Sequence, residues 1–213
     1  ECKGCKAECP SNVDMARLKY EFLDQYHKEN GFSIRDRLFA HIAHLSRIGS
    51  FLGPVANWSL RIDIIKEILD NHIGIDRRRN IPTFSSQTFA QWFKVHQSFP
   101  SSSPTRGQVV LFPDTFTNYN HPELGIAATL VLERLGYQVV LPDTKCCGRP
   151  MLSGGMIDSA RRNARFNVDT LLPYVKNGSK VVGLEPSCIL SFSDDYLDLL
   201  GNDPGVRMLA VYG

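Results

Sequence analysis

The most constraining stretch is Lys145-Cys146-Cys147-Gly148-Arg149-Pro150, two adjacent cysteines in a Gly/Pro turn directly after the apolar run Tyr137–Leu141. Neighbouring Cα atoms are about 3.8 Å apart, whereas ordinary disulfides need roughly 4.4–6.8 Å, so a Cys146–Cys147 bridge is strained. Two thiols at a strand end are better suited to a shared metal or a redox partner. The six cysteines fall into two groups, Cys2/Cys5/Cys9 and Cys146/Cys147/Cys188, with none between Asn12 and Lys145. A secreted disulfide scaffold is shorter and more evenly punctuated, so the pattern points to metal or redox chemistry inside the cell.

From Gln108 onward the hydrophobic period alternates between strand and helix. Val109-Val110-Leu111-Phe112 reads as a buried strand, with a loop over Pro113–His121. A helix follows over Pro122–Gly136, then a strand over Tyr137–Leu141. Ser153-Gly154-Gly155 opens a further helix that ends at Asn177-Gly178. A strand Val181–Leu184 and a helix from Glu185-Pro186-Ser187-Cys188 to about Leu200 complete a βαβαβα order. Right-handed crossovers make such strands parallel, and functional groups then gather beyond their carboxyl ends. Three loops are expected on that edge, one with Asp114–Tyr119, one with Cys146-Cys147 and one with Cys188.

The amino-terminal half reads differently. Cys2-Lys3-Gly4-Cys5-Lys6-Ala7-Glu8-Cys9-Pro10 is C-x2-C-x3-C-P, the last three cysteines of the bacterial ferredoxin run. On that logic Cys2 and Cys5 hold one cluster and Cys9 a neighbouring one; half a zinc site is the alternative. The chain begins within this motif and is expected to be part of a longer one. Met15, Leu18, Phe22 and Tyr26 predict the core face of a first helix. Ile34, Leu38, Ile42, Leu45, Ile48 and Leu52 predict a second, ended by Gly53-Pro54. Leu60, Ile64, Ile68 and Leu69 predict a third. A short aromatic helix with Phe89, Trp92, Phe93 and His96 is expected to open at Ser85-Ser86. His41 and His44 read as solvated or hydrogen-bonded histidines.

The basic run Arg77-Arg78-Arg79 is either a solvated turn or a set of cations beside an anionic cluster or flavin phosphate. Three arginines in a chain of net charge +2 do not make a nucleic-acid site. No apolar run approaches the roughly 18 residues of a membrane span. The expected organisation is a helical ferredoxin-type segment over 1–96, a linker over 97–107 rich in Ser and Pro, and a three-layer α/β cysteine-rich domain with a parallel sheet over 108–213.

Asp114-Thr115-Phe116-Thr117-Asn118-Tyr119, Cys146-Cys147-Gly148 and Glu185-Pro186-Ser187-Cys188 together resemble the cysteine-rich CCG domain of iron–sulfur oxidoreductases. That group includes heterodisulfide reductase subunits and the iron–sulfur subunit of anaerobic glycerol-3-phosphate dehydrogenase. With the Cys2–Pro10 loop, the arrangement is most similar to the carboxyl-terminal half of flavin dehydrogenases of the D-lactate and D-2-hydroxyglutarate type. The resemblance implies 4Fe-4S clusters, FAD on another part of the protein, and electron transfer from oxidation of a D-2-hydroxy acid to a quinone, cytochrome or other redox protein. An FAD-binding domain or subunit is the implied partner. A cytoplasmic location, with peripheral attachment to the membrane left open, is implied too. Cys146, Cys147 and Cys188 are the implied ligands. Thr115 and Glu185 stand where the family motif has cysteines, and are candidate oxygen ligands. Two other readings remain: a thiol–disulfide redox subunit, and a zinc-stabilised interaction module.

Overall fold

The computed structural model describes residues 4–97, 106–201 and 203–212, with the side chains of Cys5, Ala7 and Tyr212 outside that description. Cys2 and most of the linker expected over 97–107 therefore lie outside the described residues. The chain opens with α1 (Gly4–Ala7) and α2 (Met15–Asn30), the latter capped by the Asp14 carboxylate, which accepts from Arg17 N at 3.0 Å. Then come α3 (Ile34–Ala40), α4 (Ile42–Ser59), α5 (Asp63–Ile68) and a π-helical turn Leu69–Ile73, ended by Gly74.

Several expectations for this half are corrected. The second helix is broken at His41, giving α3 and α4, and it runs past Gly53-Pro54 to Ser59. Proline lacks an N–H and crowds the carbonyl four residues earlier, which normally ends a helix. Here Gly53 takes the strain at φ 33°, a positive φ open to glycine, and the helix kinks instead of stopping. The expected core faces are also reversed. Met15, Leu18, Phe22 and Tyr26 of α2 are exposed, as are Ile48 and Leu52 of α4. The buried side of α2 is Ala16, Tyr20, Asp24 and His27, and that of α4 is Ser46, Gly49, Ser50 and Gly53. Small side chains are what close packing requires: a Cβ at Gly49 would stand 2.6 Å from the Phe84 ring.

Next is α6 (Phe89–Val95), opened by Thr88 and not by the serines Ser85-Ser86. Thr88 and Gln91 form a reciprocal capping box, each side chain bonded to the other's backbone N–H. The strands β1 (Gln108–Phe112), β2 (Gln138–Val140) and β3 (Lys180–Gly183) form one parallel sheet, as the βαβαβα pattern predicted, and their order in it is β2-β1-β3. Between them lie α7 (Thr115–Tyr119), α8 (Pro122–Arg134), α9 (Arg149–Ser153) and α10 (Ile157–Lys176). After β3 come α11 (Pro186–Ser193), α12 (Asp195–Leu200) and α13 (Pro204–Tyr212).

Alternation along β1 sorts its side chains to two cores. Val109 and Leu111 pack with Val139 of β2, Phe89, Trp92 and Phe93 of α6, and Ile126 and Leu132 of α8. Val110 and Phe112 pack with Ala164, Val168 and Leu171 of α10, and with Phe192 and Tyr196. The result is three layers, with the sheet covered on both faces as parallel sheets require. Three details were not foreseen. The loop expected over Pro113–His121 contains α7, because Asp114 accepts from the N–H groups of Phe116 and Thr117. Ser153 ends the short α9 instead of opening α10. The last helix is broken at Asp194, and α13 follows it.

The amino-terminal helices lean on the sheet domain through α2 against α10, α3 against α9 and α4 against α7. The approach of α2 is close: at Gly155, φ 74°, a Cβ would lie 2.7 Å from Leu23 Cβ and 2.8 Å from its backbone carbon. Only glycine fits there.

Candidate metal centre

All three strands end on the edge where α7, the Cys146-Cys147 loop and α11 begin, so the cysteines of the second group meet without a long excursion of the chain. Cys188 is the third residue of α11, a helix opened by Pro186 and capped by Glu185. Cys147 lies just before Gly148, whose φ of 94° turns the chain into α9. A Cβ at Gly148 would also stand 3.3 Å from Ala160 Cα. The loop thus passes close over α10, at a backbone conformation that favours glycine.

Cys146, Cys147 and Cys188 are free thiols, with Cys147 buried and the other two half-buried. Cys147 Sγ donates to Cys188 Sγ at 3.2 Å, across 41 residues of sequence. A side-chain hydrogen bond also joins Cys146 to Cys147, and the Thr115 hydroxyl hydrogen-bonds to Cys146. The bond to Cys147 and burial push the Cys146 thiol up, against the pull of the Gly148 N–H and Thr115. For Cys147 the bond with Cys146 lowers the value, but the bond with Cys188 and burial outweigh it, leaving the thiol pushed up to about 12. Both groups are neutral thiols in the metal-free protein at neutral pH.

The loop is held by α10. Asn167, fully buried, accepts from Lys145 N at 2.8 Å and donates to Lys145 O at 3.0 Å. Its Nδ2 also reaches Tyr196 Oη at 2.9 Å. One turn earlier, Asn163 donates to Cys146 O at 3.1 Å. Arg149 pairs with the buried carboxylate of Asp195 at 3.4 Å. The residues Asn163, Asn167, Asp195 and Tyr196 escaped sequence reasoning. The available signal was a pair of asparagines four residues apart on the face of α10 that otherwise carries Ala160, Ala164 and Val168.

The donor set suits a thiophilic centre: three soft thiols, no disulfide between them, and a hydroxyl beside one of them. On one tetrahedral metal with bonds of about 2.3 Å, two thiolates stand about 3.8 Å apart. Cys147 and Cys188 would part by about half an ångström from their 3.2 Å hydrogen bond to bind together. Glu185 is less available, because its Oε1 accepts from both the N–H and the hydroxyl of Ser187. A cavity of about 340 Å³ opens beside Cys146, lined by Thr115, Thr144, Lys145, Asn163 and, from α4, His44 and Arg47.

The first cysteine group is seen only in part. Cys2 and the side chain of Cys5 lie outside the described residues. Cys9 is half-buried, and hydrogen bonds from the N–H groups of Val13, then Ser11, hold its thiol below the usual cysteine range. This loop is tied to the sheet domain: Lys6 Nζ bridges Asp194 at 2.8 Å and Asp14 at 3.3 Å. Among the described residues, the metal-binding side chains whose donor atoms all lie within 4.8 Å of one another are Asp14, Asp194 and Asp198, not the cysteines. Lys6 and Arg17, the latter 2.7 Å from Asp198, already balance those carboxylates. Arg77, Arg78 and Arg79 stand in the turn after the π-helical segment. Arg78 is folded back on Asp76 at 2.6 Å, and no hydrogen bond or ion pair among the described residues joins the three to the cysteine loops. No helix among the described residues is long and apolar enough to cross a membrane.

Residues 110–193 match the family described as "CCG: Cysteine-rich domain". The chain is 29% identical over 193 residues to a subunit of anaerobic glycerol-3-phosphate dehydrogenase from Escherichia coli (strain K12), covering 90% of this chain and 46% of that protein. It is 24% identical over 213 residues to D-2-hydroxyglutarate dehydrogenase of the same strain, covering 96% of this chain and 21% of the relative. Lactate utilization protein A of Exiguobacterium sp. is 29% identical over 97 residues, 45% of this chain and 38% of that protein. The chain thus spans less than half the length of these relatives. No solved structure matches it significantly. Over residues 110–193 the chain is thus similar to CCG cysteine-rich domains, and as a whole it is related at modest identity to a subunit of anaerobic glycerol-3-phosphate dehydrogenase and to D-2-hydroxyglutarate dehydrogenases.

Proposed function

We propose that this chain is the electron-transfer part of a larger flavin-linked oxidoreductase, with one iron–sulfur centre held by Cys146, Cys147 and Cys188 and another carried by the Cys2/Cys5/Cys9 loop. The observation that supports it most is the meeting of three free cysteines from two strand-end loops, with Cys147 and Cys188 at 3.2 Å. An iron–sulfur centre supplies single-electron acceptance and release when bound. The chain's own residues do the rest. Asn163 and Asn167 fix the Lys145-Cys146 backbone, burial keeps water from Cys147, and Thr115 is the oxygen donor already in contact with the set. Lys6 and Asp194 hold the first cysteine loop against the α11–α12 junction. FAD on another part of the protein would take the hydride from a D-2-hydroxy acid such as D-lactate, and a quinone, cytochrome or other redox protein would receive the electrons. The names of the relatives support this wider reading. In this reading 1–96 is the ferredoxin-type segment and 108–213 the cysteine-rich domain.

Iron and acid-labile sulfide assays with EPR after anaerobic reconstitution test the proposal. Cys146→Ser is expected to abolish the signal of the second centre and spare the first. Stoichiometric zinc without sulfide would refute it. The 3.2 Å Cys147–Cys188 contact favours a second reading, dithiol–disulfide exchange. There the two thiols would form one S–S bond, passing two electrons and two protons to a disulfide substrate that leaves as two thiols. Metal-free protein that reduces a disulfide, and loses this with Cys188→Ser, would favour that reading.

A further inference from the structure

The cavity beside Cys146 does not stand alone. A second one, of about 700 Å³, adjoins it, and both are lined by Arg47, Pro113, Asn118, Tyr119, Asp143 and Thr144. Together they form one cleft between α4 and the carboxyl ends of β1 and β2, the edge where ligands of open α/β sheets gather. The smaller part, at Cys146, draws His44 and Arg47 from α4 and Lys145 from the cysteine loop. The larger part is faced by Phe51, Phe93, Leu141 and Pro142, with Lys94 among them. Polar groups that the protein leaves unmet concentrate here. Among the described residues Arg47 makes no hydrogen bond or ion pair, and the Lys145 ammonium sits over the Phe166 ring, 4.3 Å from its centre, with no carboxylate beside it. Thr144 has a buried hydroxyl without a hydrogen-bond partner, which is rare in a folded protein. Of the two carboxylates in the lining, Asp114 is buried and occupied by the N–H groups of Phe116 and Thr117 and by the Thr117 hydroxyl. Asp143 is exposed, and it alone stands against Arg47, Lys94 and Lys145. A concave wall focuses such an excess of positive charge more than a flat surface does.

We propose that this cleft binds a small organic anion, its carboxylate or phosphate against Arg47 and Lys145 beside Cys146, and its apolar body among Phe51, Phe93 and Leu141. The guanidinium of Arg47 is a planar fork that matches either oxyanion with two parallel hydrogen bonds, and Lys145 adds a point charge from the facing loop. The apolar end accounts for the larger part of the cleft, whose volume lies within the roughly 300–1,000 Å³ of ordinary small-molecule sites. A ligand so placed touches α4 and the cysteine loop at once. It ties the helical half to the sheet domain and stands between solvent and the Cys146 thiol. The inference goes beyond the electron-transfer reading, and it holds with or without a metal at the cysteines.

Calorimetric titration of the full-length protein with phenyl phosphate and with phenylacetate tests this. Both are expected to bind saturably, and the tighter of the two identifies the head group as phosphate or carboxylate. 2-Phenylethanol has the ring without the charge and is expected to bind at least about tenfold more weakly. Arg47→Gln is expected to weaken either anion by at least about tenfold, the loss of one charge-assisted hydrogen bond. Arg47→Lys keeps the charge and is expected to recover part of the affinity. Arg47 is exposed, so both variants are expected to melt with the wild type. Arg61→Gln, at an exposed arginine outside the cleft, is the control for non-specific charge and is expected to bind as the wild type does. In metal-free protein, saturating phenyl phosphate is expected to slow iodoacetamide labelling of Cys146. A Kd above about 10 mM for both anions overturns the proposal. So does an equal loss in Arg47→Gln and Arg61→Gln, or labelling of Cys146 at the same rate with and without the anion. Wild-type protein without iron and sulfide would refute the reading of the metal centre and leave this one standing.

Discussion

Replacing Asn167 by leucine removes the anchor of the cysteine loop while keeping the number and branching of the side-chain heavy atoms. Asn167 bonds Lys145 N, Lys145 O and Tyr196 Oη at 2.8, 3.0 and 2.9 Å. The Lys145 side chain is exposed, so water can take over part of the bonding to its backbone. The hydroxyl of Tyr196, fully buried, has no such recourse. Cys146 O keeps Asn163 at 3.1 Å. Leaving one fully buried group and one or two partly recovered ones unpaired, at about 1–3 kcal/mol each, gives a loss of about 2–5 kcal/mol. That is a large part of the roughly 5–15 kcal/mol that stabilises an ordinary domain. Urea denaturation should show a lower midpoint with an unchanged slope, because the surface exposed on unfolding is the same. Iodoacetamide labelling should find Cys146 more accessible in the native protein. A midpoint equal to that of the wild type, with Cys146 as protected as before, would refute the view that α10 holds the loop.

Gly148→Ala forces an L side chain to φ 94° and presses a methyl to 3.3 Å from Ala160 Cα. A loss of about 1–3 kcal/mol is expected in the same denaturation assay. Asp203 is held below its usual range by the hydrogen bond from Arg165 and the Gly205 N–H. A carboxylate with a depressed folded pKa stabilises above its unfolded value of about 3.9, and that contribution is lost as the pH falls through the folded value. Amide exchange in α13 is therefore expected to speed up selectively below about pH 4. In metal-free protein, labelling against pH should reveal Cys9 reacting at lower pH than Cys147, since backbone N–H groups favour the Cys9 thiolate and Cys147 stays protonated up to about 12.

The carboxyl-terminal half was legible because each of its elements states its period and its ends. Strand and helix alternate, Pro122 and Pro186 open helices, and β1 shows four apolar residues in a row because both its faces are covered. From that order alone Cys146, Cys147 and Cys188 fall on one edge. The amino-terminal helices were legible as helices but not as to which side is buried. Periodicity says that a helix has an apolar face, and does not say what covers it. In α2 the side around Leu23 and Asp24 packs against Gly155 of the sheet domain, and Ala16 and Tyr20 face in while Phe22 and Tyr26 face out. The polar clamp on the cysteines was illegible for a different reason. Asn163, Asn167 and Tyr196 act through bonds to groups 17–29 residues away, and no local pattern records such partners.

The bonding of Asn167 to both the N–H and the C=O of Lys145 is what a neighbouring strand would offer one residue of a ladder. A side chain here does the work of a fourth strand at a single rung. A ladder fixes register from its start, so an inserted residue shifts everything beyond it. A single rung fixes position at its own site only. Segment 141–144, between the end of β2 and Lys145, can therefore lengthen or shorten while the two cysteines stay where they are. The thiols are indexed to α10, and the sheet that delivers them is free to vary in how it gets there.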